Sequence, residues 1–192
     1  MVRTGQRLPT KDEEDIGLPV LAFLRKYPGS FAILVDDLEG DRRDIADRVF
    51  SRYRTALDEV LTPAGLQERA AVHFTANMLE AYYFADAGAV NKVAGIQVLA
   101  DDYPNDVEQI RHPKGEIKRL WPEFDEIKHG RLILSALDVE HVLSRPSECC
   151  WLRTMFVWCV AKLSAANAIH DETLQSAFHV GDGCNVAITA AQ

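Results

Sequence analysis

The sequence predicts an α/β fold: a parallel sheet flanked by helices, followed by a helical C-terminal part. Three observations predict it. Residues 30–36, SFAILVD, run apolar into acid, the pattern of a buried parallel strand. Residues 42–61 carry Ile45, Val49, Tyr53, Leu57 and Val60 at three-to-four spacing, the mark of an amphipathic helix. Residues 70–75, AAVHFT, then supply a second strand, and strand, helix, strand in succession forms a parallel crossover unit.

Each element has its own local reason. Residues 1–17 are polar, and 18–27 carry a short helical pattern closed by Pro28-Gly29; residues 1–29 thus form a lead-in to a domain at 30–165, with 166–192 as a tail of little signal. The helix at 42–61 stops at Thr62-Pro63-Ala64-Gly65, and its Arg and Asp residues form the wet face. Asn77 to Asp86 is dense enough in apolar and aromatic residues to be a mostly buried helix. Residues 101–116 are a polar, proline-containing connection, and 116–145 read as two or three short helices broken by Pro122, Gly130 and Asp138. In the last helix, 148–165, a stripe of Leu152, Met155, Phe156, Cys159, Val160 and Leu163 reads as core. Trp151 and Trp158 lie one step off it, so they either widen the buried face or meet a partner.

The formal charge of −8 over 192 residues argues against a broad basic nucleic-acid face, because phosphate affinity comes largely from Lys and Arg. Local cations remain at Arg42, Arg43, Arg48, Arg52 and Arg54 and again at Arg111, Lys114, Lys118 and Arg119. Cys149, Cys150, Cys159 and Cys184 form no CxxC pair, and adjacent Cys149 and Cys150 at the start of an apolar helix read as reduced core residues. The amino terminus does not resemble a signal peptide, and no run approaches the roughly 20 apolar residues of a membrane span. The expected compartment is the cytoplasm.

The strand at 30–36 delivers Asp36, Asp37, Glu39 and Asp41 to the carboxyl end of a sheet, where open α/β folds place their sites. Such oxygen-rich surroundings suit Mg²⁺; a solvated acidic loop is the alternative. Adjacent Asp36 and Asp37 face opposite sides of a strand, while Asp37 and Glu39 share one. A shared metal therefore favours Asp37 with Glu39, or Asp36 with a residue from a neighbouring element. Glu80, inside an apolar helix, needs a cation, a hydrogen bond or a metal. A salt bridge tying helix to sheet satisfies it equally. His73 reads as a half-buried structural histidine. His112, Lys114, Lys118 and Arg119, then Lys128, His129 and Arg131, form either a phosphate-holding set or a solvated surface.

The order ILVDDLEG, HFTANMLEAYYFADAGAV, HPKGEIKRL and FDEIKHGRLILSALDVEHVLSR, over residues 30–146, resembles the bacterial family known as domain of unknown function 4276, considered TOPRIM-like. The resemblance implies a TOPRIM-like parallel sheet and a Mg²⁺-dependent phosphodiester site. Asp37-Leu38-Glu39 has its D-x-E spacing, Asp36, Asp37 and Glu39 would hold the metal, Glu80 and Asp86 match acidic positions, and Lys114 matches a P-K pair. Glu80 and Lys114 are the implied catalytic residues. Relatives of this type are similar to small partners encoded beside ATPases in bacterial defence loci. The implied early strand ending in Glu-Gly is not visible before residue 30, so either it precedes Met1 or the site lacks its general acid/base, a group typically contributing about 10² to 10⁴ in rate. Two functions follow: a Mg²⁺-dependent nuclease acting on nucleic acid with an ATPase partner, or a non-catalytic module that binds a partner or itself through 148–165.

Overall fold

The computed structural model describes residues 16–38, 45–144 and 149–165. Both expected strands form, β1 at Ala32–Leu38 and β2 at Ala70–Ala76, and they pair in parallel as a two-stranded sheet among the described residues. Between them runs α2 at Ala46–Leu61. It gives way at Thr62-Pro63 to a short 3-10 turn, and Gly65 at φ 66° reverses the chain so that the Leu66 amide donates to the Leu61 carbonyl.

The two strands differ in burial. β2 is buried at every position, whereas β1 is half-buried, with Val35 48% exposed and Leu38 its one fully buried residue. The expectation of a buried strand at 30–36 is therefore corrected: β1 is half-buried and exposes Val35. Apolar residues on both faces of the run suggested a strand covered on both sides, but its pairing partners and cover are set by chain distant in sequence.

Helix α1, Gly17–Lys26, lies in the stretch read as lead-in and packs on α2 through buried Gly17, Leu21 and Leu24. The reading of every α2 arginine as wet is also corrected. Arg54 is buried; its Nε and Nη2 donate to the Asp58 carboxylate at 2.9 and 2.5 Å, and its Nη1 donates to the Ala70 carbonyl at 2.8 Å. A rigid planar fork can serve a carboxylate one turn ahead and the first residue of β2 at once. Arg69 does similar work, donating to the carbonyls of Tyr27 and Ser30 and so holding the start of β2 beside the turn before β1.

The chain divides into two compact units at Phe74/Thr75, near the end of β2. In the second, Asn77 takes a left-handed turn at φ 62°, and a 3-10 helix covers Leu79–Ala85 with Ala81 to Ala85 buried. The helix expected at 77–86 is thus a shorter 3-10 helix, and a separate helix, α3 at Ala87–Ala94, follows it, capped by Asp86, which accepts from the Ala89 amide at 2.9 Å. Gly95 at φ 71° ends α3. The region at 113–143 holds three helices, α4 at Pro113–Leu120, α5 at Lys128–Ala136 and α6 at Val139–Leu143. Tyr82, Phe84, Val90, Ile117, Trp121 and Ile133 belong to the core that these elements enclose.

Pro122 and Asp138 fall at helix boundaries as expected, but Gly130 lies inside α5 and breaks nothing. Its role is close approach: a Cβ there would lie 2.9 Å from the Tyr83 hydroxyl. Gly130→Ala gains helix propensity of roughly 1 kcal/mol and meets an overpacking penalty of about 1–3 kcal/mol. The expected net is a modest loss of stability, read as a lower denaturation midpoint in urea; a stabilised variant would show that the contact yields freely.

The last helix, α7, covers Cys150–Ala165. Its sequence stripe is corrected by the burial pattern. Leu152 packs partly buried against the core, Met155, Phe156, Cys159, Val160 and Leu163 are half-buried, and Arg153, Thr154 and Trp158 are buried. Trp158 thus widens the buried face. Cys149 is buried as a thiol, as expected of a reduced core residue. Among the described residues no helix is long and apolar enough to cross a membrane.

Candidate functional site

On β1 the acids sit within the strand, which runs two residues past Asp36. Asp36 Oδ1 accepts from the Asp37 amide at 2.9 Å and Oδ2 from the Tyr53 hydroxyl of α2 at 2.7 Å. Tyr53 also lies against Phe74 of β2, ring centroids 6.5 Å apart. Asp36 therefore faces α2, and strand alternation turns half-buried Asp37 to the opposite face with exposed Val35. Glu39 and Asp41 lie outside the described residues. Carboxylate oxygens have the hard-donor chemistry that Mg²⁺ requires, yet neighbours on opposite faces do not chelate one ion together. Among the described residues no group of three or more His, Cys, Asp or Glu is assembled for a metal.

Glu80 and Lys114 lie in the second unit. Glu80 stands half-buried in the first turn of the 3-10 helix, so the apolar interior begins one residue after it. The premise that it is buried in a helix interior is corrected; the left-handed turn at Asn77 shifts the helix start to Leu79. Lys114 Nζ pairs with Glu126 Oε2 at 2.5 Å, and Lys118 Nζ with Oε1 at 2.5 Å. Those two hydrogen bonds, Lys114 first, hold the Glu126 carboxyl below its usual pKa. Arg119 pairs with Glu116 at 2.9 Å. Asp86, besides capping α3, accepts from the Asp138 amide at 2.9 Å and so ties α3 to the start of α6.

His73 is buried in β2, and burial lowers its pKa to about 4, so the imidazole is neutral across the physiological range.

The least expected group is Glu108, in a short 3-10 turn at Val107–Gln109 and only 2% exposed. The Tyr82 hydroxyl donates to its Oε1 at 2.8 Å, and the Trp151 amide at the start of α7 donates to the same oxygen at 3.0 Å. Tyr82 in turn accepts from the Ala76 amide at 3.3 Å, and the Asn77 side chain donates to the Glu108 and Ile110 carbonyls, each at 2.8 Å. Burial raises the Glu108 pKa to about 7 despite these donors. It also raises that of Tyr82, reinforced by the adjacent Glu108. The network ties the end of β2, the 3-10 helix, the 107–110 turn and α7 into one piece. Nothing in the polar run 101–116 marks Glu108 except its apolar neighbours Val107 and Ile110. A second pair unread in the sequence is Asp102 with His141, Oδ2 to Nε2 at 2.6 Å, while Asp102 Oδ1 accepts from the Ala87 amide.

A parallel strand–helix–strand crossover with paired acids on its first strand, followed by a largely helical unit, defines an α/β protein with a mostly helical body. The chain belongs to the family described as Domain of unknown function (DUF4276), which matches residues 6–156. No curated protein and no solved structure matches it.

Proposed function

We propose that the chain is a TOPRIM-like, Mg²⁺-dependent phosphoryl-transfer protein of nuclease type, acting with an ATPase in bacterial defence or DNA metabolism. The observation that carries this reading is the division of labour on β1. Asp36 is braced by Tyr53 and the Asp37 amide, which holds this stretch in place, and Asp37 is turned to the other face. Mg²⁺ is commonly held by one or two protein carboxylates together with substrate phosphates. Asp37, with Glu39 two positions further along the sequence, supplies that set, and Asp36 supports it. When bound, the ion polarises the phosphoryl oxygen and lowers the pKa of attacking water. The resemblance also assigns catalytic roles to Glu80 and Lys114 of the second unit; Glu80 is half-buried, and Lys114 has to give up Glu126 to take a phosphate oxygen.

Calorimetric titration with Mg²⁺ and Mn²⁺ tests the reading directly. The wild type is expected to release or absorb heat and Asp37→Ala to lose the signal, with metal-dependent cleavage of DNA or RNA lost in parallel. Asp36→Asn, whose amide oxygen still accepts from the Asp37 amide and whose NH2 can donate to the Tyr53 oxygen, is expected to weaken binding less. No heat from the wild type would sink the metal site.

A second reading, a non-catalytic module binding a partner or a second copy through α7, draws on the half-exposed stripe of Met155, Phe156, Val160 and Leu163. Sedimentation of the wild type and Met155→Glu separates it from the first: this reading expects self-association or partner capture that the substitution removes.

A further inference from the structure

The second unit holds an open pocket of about 630 Å³. Its volume falls in the range of small-molecule sites, about 300–1,000 Å³. The floor is apolar and buried, made by Phe84, Leu99 and Ile110. One wall is the segment 109–120, which brings Arg111, His112 and Arg119 to the rim; the other is 99–104, which brings Asp101 and Tyr103.

The charges on these walls are not equivalent. Asp102 also lines the pocket, but both of its oxygens are engaged, one by the Ala87 amide and one by His141. Arg119 is held by Glu116 across a pair in which both side chains are well exposed, and such surface pairs are weak, with a median of about 0–1 kcal/mol. Exchange of that carboxylate for a ligand anion is therefore inexpensive, and exposed Arg111 and His112 stand on the same wall. Arginine takes phosphate oxygens by two parallel N–H bonds. On the 99–104 wall the half-open Tyr103 ring offers a stacking face and the Asp101 carboxylate offers acceptors suited to the edge of a heterocycle. The 99–104 wall is held in place by the Tyr103 amide, which donates to the Phe84 carbonyl at 2.8 Å, and by Asn91, which bonds the Leu99 backbone. Both walls thus rest on the same core.

We propose that this pocket binds a nucleoside monophosphate, with the phosphate on Arg111 and Arg119 and the base over the apolar floor beside Tyr103. The ligand is either a free nucleotide or the 5′-phosphorylated end of a strand. The proposal does not depend on the metal reading, because the pocket lies wholly within the second unit and contains none of Asp36, Asp37 or Glu39.

The test is calorimetric titration of the full chain, in chelator, with adenosine monophosphate, guanosine monophosphate, adenosine, inorganic phosphate and a 5′-phosphorylated dinucleotide. At least one mononucleotide is expected to bind roughly tenfold or more tightly than phosphate or adenosine alone, since phosphate and base each contribute. Binding of the dinucleotide as strong as that of the mononucleotide assigns the site to a strand end, and weaker binding assigns it to the free nucleotide. Arg111→Glu reverses an exposed charge and Ala100→Trp fills the pocket from an exposed lining position; each is expected to lower affinity about tenfold or more with the circular dichroism unchanged. Absence of mononucleotide binding at millimolar concentration, affinity no better than that of phosphate, or affinity untouched by both variants would overturn the assignment. Use of chelator keeps a failure here distinct from a failure of the metal site.

Discussion

Gly17→Ala is expected to destabilise the N-terminal unit by about 3 kcal/mol, at the upper end of overpacking penalties. A Cβ at this position would lie 2.3 Å from Val60 Cγ2 and 2.6 Å from the Ala56 carbonyl oxygen. The first obstacle is a side chain with a stiff β-branch, and the second is α2 backbone that has no rotamer to change. Relief therefore requires α1 to move away from α2, which loosens the contacts of Leu21 and Leu24. The helix-propensity gain of alanine, roughly 1 kcal/mol, is smaller than this and is weaker still at a helix start. Urea denaturation of wild type and variant, followed by far-ultraviolet circular dichroism, measures the difference. A variant within about half a kcal/mol of wild type would mean that α1 docks more loosely than its glycine contact implies.

Glu108→Gln is expected to reverse part of the dependence of stability on pH. In the folded chain burial raises the Glu108 pKa from 4.5 to about 7, so the native state keeps a proton that the unfolded chain has released. Its contribution to stability is therefore lost as pH rises through about 4.5 to 7, by roughly 3 kcal/mol if the whole shift is realised. His73 acts with the opposite sign. Burial lowers its pKa from 6.5 to about 4, so the unfolded state binds the extra proton and stability is gained as pH rises through that window. In the wild type the two slopes oppose one another between about pH 4.5 and 6.5, and stability there should change little. Glu108→Gln keeps an acceptor for Tyr82 and for the Trp151 amide and removes the charge. It should leave the rising His73 slope and be more stable, relative to wild type, at pH 8 than at pH 5. Denaturation midpoints at pH 5, 6.5 and 8 decide the matter; parallel profiles for the two proteins would show that Glu108 does not titrate in this window. Where the units unfold in separate steps, the His73 slope belongs to the first and the Glu108 slope to the second.

Much of the N-terminal unit could be read locally. The three-to-four spacing from Ile45 to Val60 and the stop at Thr62-Pro63 place α2, and AAVHFT places β2 within one residue of its end. The alternation of an extended chain was enough to put Asp36 and Asp37 on opposite faces. Asp86 also had a legible signal, an acid directly before AGAVNKVAG, which is the pattern of a capped helix ended by glycine; the density of apolar residues in 77–85 masked it. The burial of Arg54 was not legible, because its partner Ala70 lies sixteen residues away and an arginine on an amphipathic helix is usually wet.

The sequence by itself determined the periodic elements, their order, the acids on the first strand and membership of the matched family, since each depends on residues close together in the chain or on their succession. The tertiary structure decided which elements are buried and what the glycines are for. It buried Glu108 among Tyr82, Ala76 and the start of α7 and gave Lys114 a carboxylate partner; it left β1 half-buried with Val35 exposed, and it brought Gly17 against Val60 and Gly130 against Tyr83. Burial and close approach sum over elements tens of residues apart, and no local pattern of apolar and polar residues carries those distances.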